Sequence, residues 1–235
     1  GNFPPLTLPT MERAERPDRL RELEDQLAVA EHDSDSSVRT LRLDITEAYL
    51  KSCLWIVDRI KGQSSPAHLA HLDRLADIYF SRQRNDLAEL THLRALHIRE
   101  HFHGAKQPEL CPNISGLARI YDSRGNFVRA EEMYREAAAL HERGLRKILF
   151  LYSERVIDAN RLCKQVEPIF ASFAELVNFL VTQRKMKEAA AVQNRATQLF
   201  NEITGESAGL HSILGSVIEP HLLTIQELVR TKSAG

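Results

Sequence analysis

The feature that most constrains this chain is a period. Leu75-Ala-Asp-Ile-Tyr79 returns as Leu117-Ala-Arg-Ile-Tyr121, 42 residues later. At the same offset Asn85-Asp-Leu-Ala88-Glu89 returns as Phe127-Val-Arg-Ala130-Glu131, and Ala95 returns as Ala137. A fainter third copy reads Leu176-Val-Asn-Phe-Leu180, then Lys187-Glu188-Ala189 and Ala196; it comes 59 residues after the second, 17 more than the period. A unit of this length cannot bury its apolar face alone and must stack on its neighbours. Apolar residues at three- and four-residue steps make each unit helical. The period therefore predicts an all-α fold of antiparallel helix hairpins.

Taken in order, residues 1–16 hold Pro4, Pro5 and Pro9, which favour an extended arm. Pro17-Asp18 opens a helix whose stripe is Leu20, Leu23, Leu27 and Ala30. The polar break Asp33–Ser37 leads to a longer helix ending near Lys61, with Gly62 as its stop. Residues 17–62 form a degenerate capping pair, as terminal repeats often do. One repeat spans 64–104, entered through Ser64-Ser65-Pro66, and the next spans 108–144, entered at Pro108 or Pro112 with a turn at Arg124-Gly125-Asn126. These segments make a stack over 17–144. Residues 145–235 form an extended helix and C-terminal helices containing the displaced third copy.

The 17 extra residues set a geometric problem. Leu145, Ile148, Leu149, Tyr152, Val156, Ala159, Asn160 and Cys163 continue a helical stripe. Glycine inside a helix costs only about 1 kcal/mol relative to alanine, so one helix from about 127 to 164 can pass through Gly144. Seventeen residues added to it would carry the next helix start some 25 Å onward. The segment Lys164–Pro168 is too short to bring the chain back. The expectation is a shared helix, its first half in the repeat stack and its second half in a C-terminal bundle with helices near 168–183, 186–203 and 208–231. A sharp bend at Gly144 is the alternative.

The repeated positions resemble the tetratricopeptide repeat, and more closely its longer form in kinesin light chains. Counted from Leu69, the first copy supplies Leu72, Leu75-Ala76, Tyr79, Ala88 and Ala95. The second supplies Ile114, Leu117-Ala118, Tyr121, Ala130, Tyr134 and Ala137, and the third Phe173, Leu176-Val177, Leu180, Ala189 and Ala196. The resemblance implies a short right-handed superhelix and a concave face, lined by first helices, that binds proteins or peptides. It would place Asp73, Asp77 and Phe80 on that face, then Ser115, Arg119 and Asp122, then Ala174, Asn178 and Val181. The lysine and asparagine clamp of chaperone-binding members is not reproduced beyond Asn178. Ser115-Gly116 stand where kinesin light chains carry paired asparagines.

Chemistry offers fewer signals. The formal net charge is −1, with acidic and basic residues interspersed, so no global field recruits nucleic acid or an anionic membrane. No apolar run is long enough to span a membrane. The chain begins at Gly1, which raises the expectation of a natural start further upstream, with any leader or domain it carries. The default compartment is then the cytoplasm, an exported or anchored form being left open. Cys53, Cys111 and Cys163 form no CxxC pair and suit reduced, buried positions. His97 and His101, four apart on one helix face, could chelate a metal, yet no HExxH or Cys/His quartet joins them. Asp73 and Asp77 share a face without a nucleophile or a histidine to make a catalytic set. Phosphate-loop, dinucleotide and nucleophile-elbow motifs are absent from the sequence. Trp55 belongs to the core by its neighbours Leu54, Ile56 and Val57.

The expected function is a non-enzymatic scaffold that recruits a protein or peptide partner through Asp73, Asp77, Phe80, Ser115, Arg119, Asp122 and Asn178, with no cofactor. Two alternatives stand beside it: a self-associating structural protein with helix 145–163 at its interface, and a peptide-sensing regulatory domain.

Overall fold

The computed structural model of the chain describes residues 36–205 and 208–233, together with the helical positions Asp18, Arg21, Glu22 and Asp25. The extended arm expected over 1–16, and most of the helix expected from Pro17 to Ala30, lie outside the described residues. Every regular element among the described residues is helical. In order these are α1 (Ser36–Lys61), α2 (Leu69–Ser81), α3 (Asn85–His103), α4 (Cys111–Ser123), α5 (Phe127–Ser153), α6 (Ala159–Thr182), α7 (Met186–Gly205) and α8 (Ala208–Ser233). Short 3-10 turns at Pro66–His68 and Pro108–Leu110 lead into α2 and α4. The chain divides into two compact units, 1–105 and 106–235.

In the first unit α1 packs on α2, and α2 pairs with α3. Ala76 and Ala88 have no exposed surface, so small side chains sit where the paired helices approach. Leu72, Leu75, Tyr79, Ala95 and Ile98 fill the space around them. Polar residues then fix the angle of approach. The fully buried His68 directs Nε2 to Asp58 Oδ1 at 2.6 Å and Nδ1 to the Ser65 carbonyl at 2.8 Å, while Arg94 of α3 donates to the same Asp58 oxygen at 2.8 Å. On α1, Glu47 accepts from Lys51 at 2.5 Å and from Arg82 and Arg84 at 3.1 Å. Burial opposes its charge, but these cations outweigh burial and hold its carboxyl below the usual range. Trp55, expected in the core, is only half-buried, with the Arg59 guanidinium 5.1 Å from its ring centre. Leu54 takes the fully buried position beside it.

In the second unit α4 pairs with α5, α5 with α6 and α6 with α7; α8 covers both α6 and α7. Three hairpin turns share one geometry. Gln83, Gly125 and Arg184 all take positive φ (58, 75 and 59°), and the next amide returns to the carbonyl of Tyr79, Tyr121 or Leu180 at 2.9 Å. This is the six-to-one helix cap of a Schellman motif. Its recurrence at offsets of 42 and 59 makes the third copy a structural repeat, although its sequence match is faint. Arg135 of α5 bridges Glu131 and Glu188, Lys185 reaches Glu131 at 2.6 Å, and Arg195 of α7 pairs with Glu142.

The shared helix expected over 127–164 is not formed. The helix does pass through Gly144, but it ends at Ser153; Arg155 caps it at φ 56°, with the Val156 amide on the Leu151 carbonyl at 2.9 Å. Asp158 then starts α6 by accepting from the Arg161 amide at 2.7 Å. Ile157 and Leu162, before and after that cap, are both buried, the pattern of a hydrophobic staple. The insertion is thus divided between two antiparallel arms. Ser153 lies eight residues beyond 145, one period after His103, and Ala159 lies eleven before 170, the position 59 after Cys111. A hairpin lengthened on both arms returns the chain to its starting level, so no displacement needs repair. Pro168, expected to open α6, lies inside it and forfeits one backbone bond. Burial of Leu162, Val166, Ile169 and Phe170 outweighs that loss.

Gly144 is required by contact rather than by a bend. A Cβ built there would lie 2.4 Å from Pro108 Cγ, in the turn that enters α4. Gly144→Ala should therefore destabilise the protein by about 1–2 kcal/mol, because overpacking exceeds the roughly 1 kcal/mol gained in helix propensity. Urea unfolding checks this. Pro108→Ala in the same chain should recover most of the loss, a coupling that two independent sites would not show.

Candidate functional site

The predicted concave-face residues sit on the first helix of each repeat. On α2 of the first unit, Asp73 is engaged: Arg99 of α3 grips it through two guanidinium bonds of 2.9 and 2.5 Å. This bidentate pair ties the hairpin together, so Asp73 serves the repeat itself. Asp77, one turn on, is exposed, and Phe80 is half-buried.

In the second unit Ser115, Arg119 and Asp122 fall at four- and three-residue steps of α4, forming one half-buried stripe. The structure adds a residue that pattern reasoning missed. Glu175 of α6, half-buried, accepts a hydrogen bond from the Ser115 side chain and feels the Arg119 charge. Burial is the largest influence on Glu175 and raises its carboxyl above the usual range, against the pull of Arg119 and Ser115. Burial raises Asp122 as well. Behind them the Tyr134 phenol of α5 is pushed up, first by burial and then by the charges of Glu175 and Asp122. Asn178 is exposed one turn beyond Glu175. The result is two carboxyls, a guanidinium, a hydroxyl and a phenol spread over three helices. They can donate to and accept from a polypeptide backbone or its polar side chains. Glu175 sits beside the repeat's apolar fourth position, Phe173, and only the fold reveals that it faces α4.

The histidine-rich stretch does not converge. His68 and His92 are buried, while His97 and His101 are exposed on α3, His101 lying edge-on to Phe102 with ring centres 5.2 Å apart. Among the described residues no group of three His, Cys, Asp or Glu side chains could hold a metal, so the pair finds no third ligand there. The cysteines are free, as thiols without disulfides. Only Cys111 is buried, its thiol pushed up to about 12 by desolvation and donating to the Ala137 carbonyl at 3.5 Å. Cys53 and Cys163 are half-buried, which corrects the expectation that all three are core residues.

His141 of α5 is the other perturbed group. Burial lowers its imidazole from 6.5 to about 4, and Nδ1 is enclosed without a hydrogen-bond partner. The unfolded chain takes up this proton near pH 6.5, whereas the folded chain resists it until about pH 4. Stability from this site is therefore complete above pH 6.5 and declines through the window below, by on the order of 3 kcal/mol at pH 4. Denaturant titrations at several pH values should show His141→Gln flattening that decline relative to the parent chain.

Comparison with known proteins places this geometry. The tetratricopeptide repeat family matches residues 65–143, the two copies of the 42-residue period. Two crystal structures of nearly identical TPR-like repeats, from a Podosopora anserina protein assigned as a kinesin light chain, share the fold. The first aligns at TM-score 0.50, and a single-substitution form of the same protein at 0.51. Each is 16% identical, over 92% of this chain and 96% of its own. No curated protein sequence matches. Residues 65–143 are thus similar to tetratricopeptide repeats, and the chain shares its all-helical repeat fold with these kinesin-light-chain-like structures.

Proposed function

We propose that this protein is a non-enzymatic scaffold, and that its repeats hold an extended protein or peptide segment against the first helices α4 and α6. The observation that carries the reading is the cluster of Ser115, Arg119 and Glu175. These charged and polar groups are half-buried on adjacent repeats, where folding alone does not require them. Glu175 and Asp122 bear a burial cost as carboxylates, and a ligand that donates hydrogen bonds to them would relieve it. Arg119 supplies the complementary donor for a backbone carbonyl or an acidic side chain. Asn178, exposed on α6, extends this contact set; Asp77, exposed on α2 of the first unit, is a proposed contact of its own repeat.

The self-associating alternative rests on the exposed Phe150 of the lengthened hairpin. Unpaired cations around that residue oppose a symmetric contact, in which they would face their own copies. Light scattering across a hundredfold concentration range should return a monomer mass.

The scaffold reading is tested by selecting binders from a random peptide library on the wild-type chain, then titrating them by calorimetry. Arg119→Glu should weaken the selected peptides at least tenfold, and Glu175→Gln by a smaller factor. The folded helical spectrum should be unchanged in both. Peptides that bind both variants as tightly as the parent would remove these residues from the site.

A further inference from the structure

The 17-residue departure from the period builds a surface that the groove does not explain. α4 enters beside Gly144, so α5 from Leu145 to Ser153 continues about 13 Å beyond the level of that contact. Residues 146–164 carry five cations, Arg146, Lys147, Arg155, Arg161 and Lys164, against two carboxylates, Glu154 and Asp158. All five cations are exposed, and none forms an ion pair with another described residue. Several cations of the repeats, by contrast, are held by carboxylates: Arg82, Arg94, Arg99, Arg135 and Arg195. The carboxylate of Asp158 is occupied in capping α6, which leaves Glu154 as the one uncommitted acid of this segment.

Two large apolar side chains stand among these cations. Phe150 is 62% exposed and Val156 is 61% exposed. Arg146 and Lys147 lie four and three residues before Phe150, on the same face of α5. Val156 follows Arg155 in the turn itself. Exposed singly, neither apolar residue would call for explanation. Both at the end of one hairpin, surrounded by unneutralised charge, form a basic rim around an apolar tip.

We propose that this hairpin tip, residues 146–164, is a peripheral docking site for an anionic phospholipid bilayer. A projecting helical turn with two apolar side chains suits insertion into the headgroup boundary, which needs no matching pocket. Five lysine and arginine side chains suit the negative surface potential, each worth about fivefold in affinity near such a surface. Their long stems let the charges remain at the headgroups while Phe150 and Val156 go deeper. An acidic protein surface would satisfy the charges as well, and the cavity at the turn, lined by Tyr152, Ser153, Arg155, Ile157 and Asp158, would admit one of its side chains; Phe150 and Val156, exposed outside that cavity, favour the bilayer. The inference goes beyond the scaffold reading and uses none of its residues. Together the two would place a bound partner at a membrane surface.

The test is co-sedimentation of the full chain with vesicles of two parts phosphatidylcholine to one part phosphatidylserine, and with vesicles of phosphatidylcholine alone. The wild type should bind the anionic vesicles at least tenfold better, and about 0.5 M salt should release it, since the Debye length there is only a few ångströms. Arg146→Glu/Lys147→Glu/Arg155→Glu should lose about a hundredfold or more. Phe150→Ser/Val156→Ser should lose about tenfold, both variants keeping the parent's thermal midpoint. Arg146→Lys should bind as the parent does, and so should Arg119→Glu, which separates this site from the proposed groove. Equal binding to both vesicle types, or anionic binding that survives the triple reversal, would overturn the proposal. So would a chain that ignores vesicles but binds soluble poly-glutamate through the same three cations; that result would assign the tip to an acidic protein.

Discussion

Close approach of two antiparallel helices at alanine is the contact on which the rest of this fold depends. Ala76 and Ala88 in one repeat, and Ala118 and Ala130 in the next, have no exposed surface at all. A larger side chain at any of these positions would push the paired helices apart, and the six-to-one caps at Gln83 and Gly125 would lose their register with it. The large residues of the motif occupy the space this approach leaves: Leu72 and Tyr79, then Ile114 and Tyr121. The third repeat keeps Ala189 and Ala196 fully buried but puts Val177 at the equivalent of Ala76. It is the faintest copy in sequence, and α8 packs against both of its helices.

Ion pairs then join elements that the apolar contacts leave free to slide. The fork of Arg99 on Asp73 crosses one hairpin, and Arg135 and Arg195 cross between the second helices of successive repeats. Most of these groups are partly exposed, so their value lies in orientation more than in stability. His68 is different, being fully buried with both ring nitrogens facing acceptors. It locks the entry turn of α2 to α1, and the α3 arginine on Asp58 closes the same network.

Much of the fold was legible in the sequence because the repeat is local: its period, small residues and turn positions lie within one hairpin. The candidate site was only partly legible. Register puts Ser115 and Arg119 on one face of α4, but Glu175 meets them only through a Ser115 hydrogen bond and the Arg119 charge, across a separation of about 60 residues along the chain. Asp73 has the same register as Ser115 and was expected to face a ligand in the same way. Arg99, from the partner helix of its own hairpin, turned it into a structural residue. Sequence register assigns a helix face; it does not say which side chain from another element has already claimed that face.

The insertion divides the two kinds of information most sharply. The 17 surplus residues, their apolar stripe and the permissive Gly144 were all visible in sequence, and they specified a continued helix correctly as far as Ser153. Where that helix stops was not visible, because Arg155 adopts a left-handed backbone that ordinary propensity disfavours. Tertiary packing decides the matter: burial of Ile157, Leu162, Val166 and Ile169 between α5, α7 and α8 outweighs the strain of the turn. By itself, then, the sequence determined that the chain is built from helical hairpins of a given period and where their inner faces lie, since these depend on neighbours a few residues away. Tertiary structure alone decided how the surplus was folded back and which polar side chains meet, because both depend on contacts between residues that the chain keeps far apart.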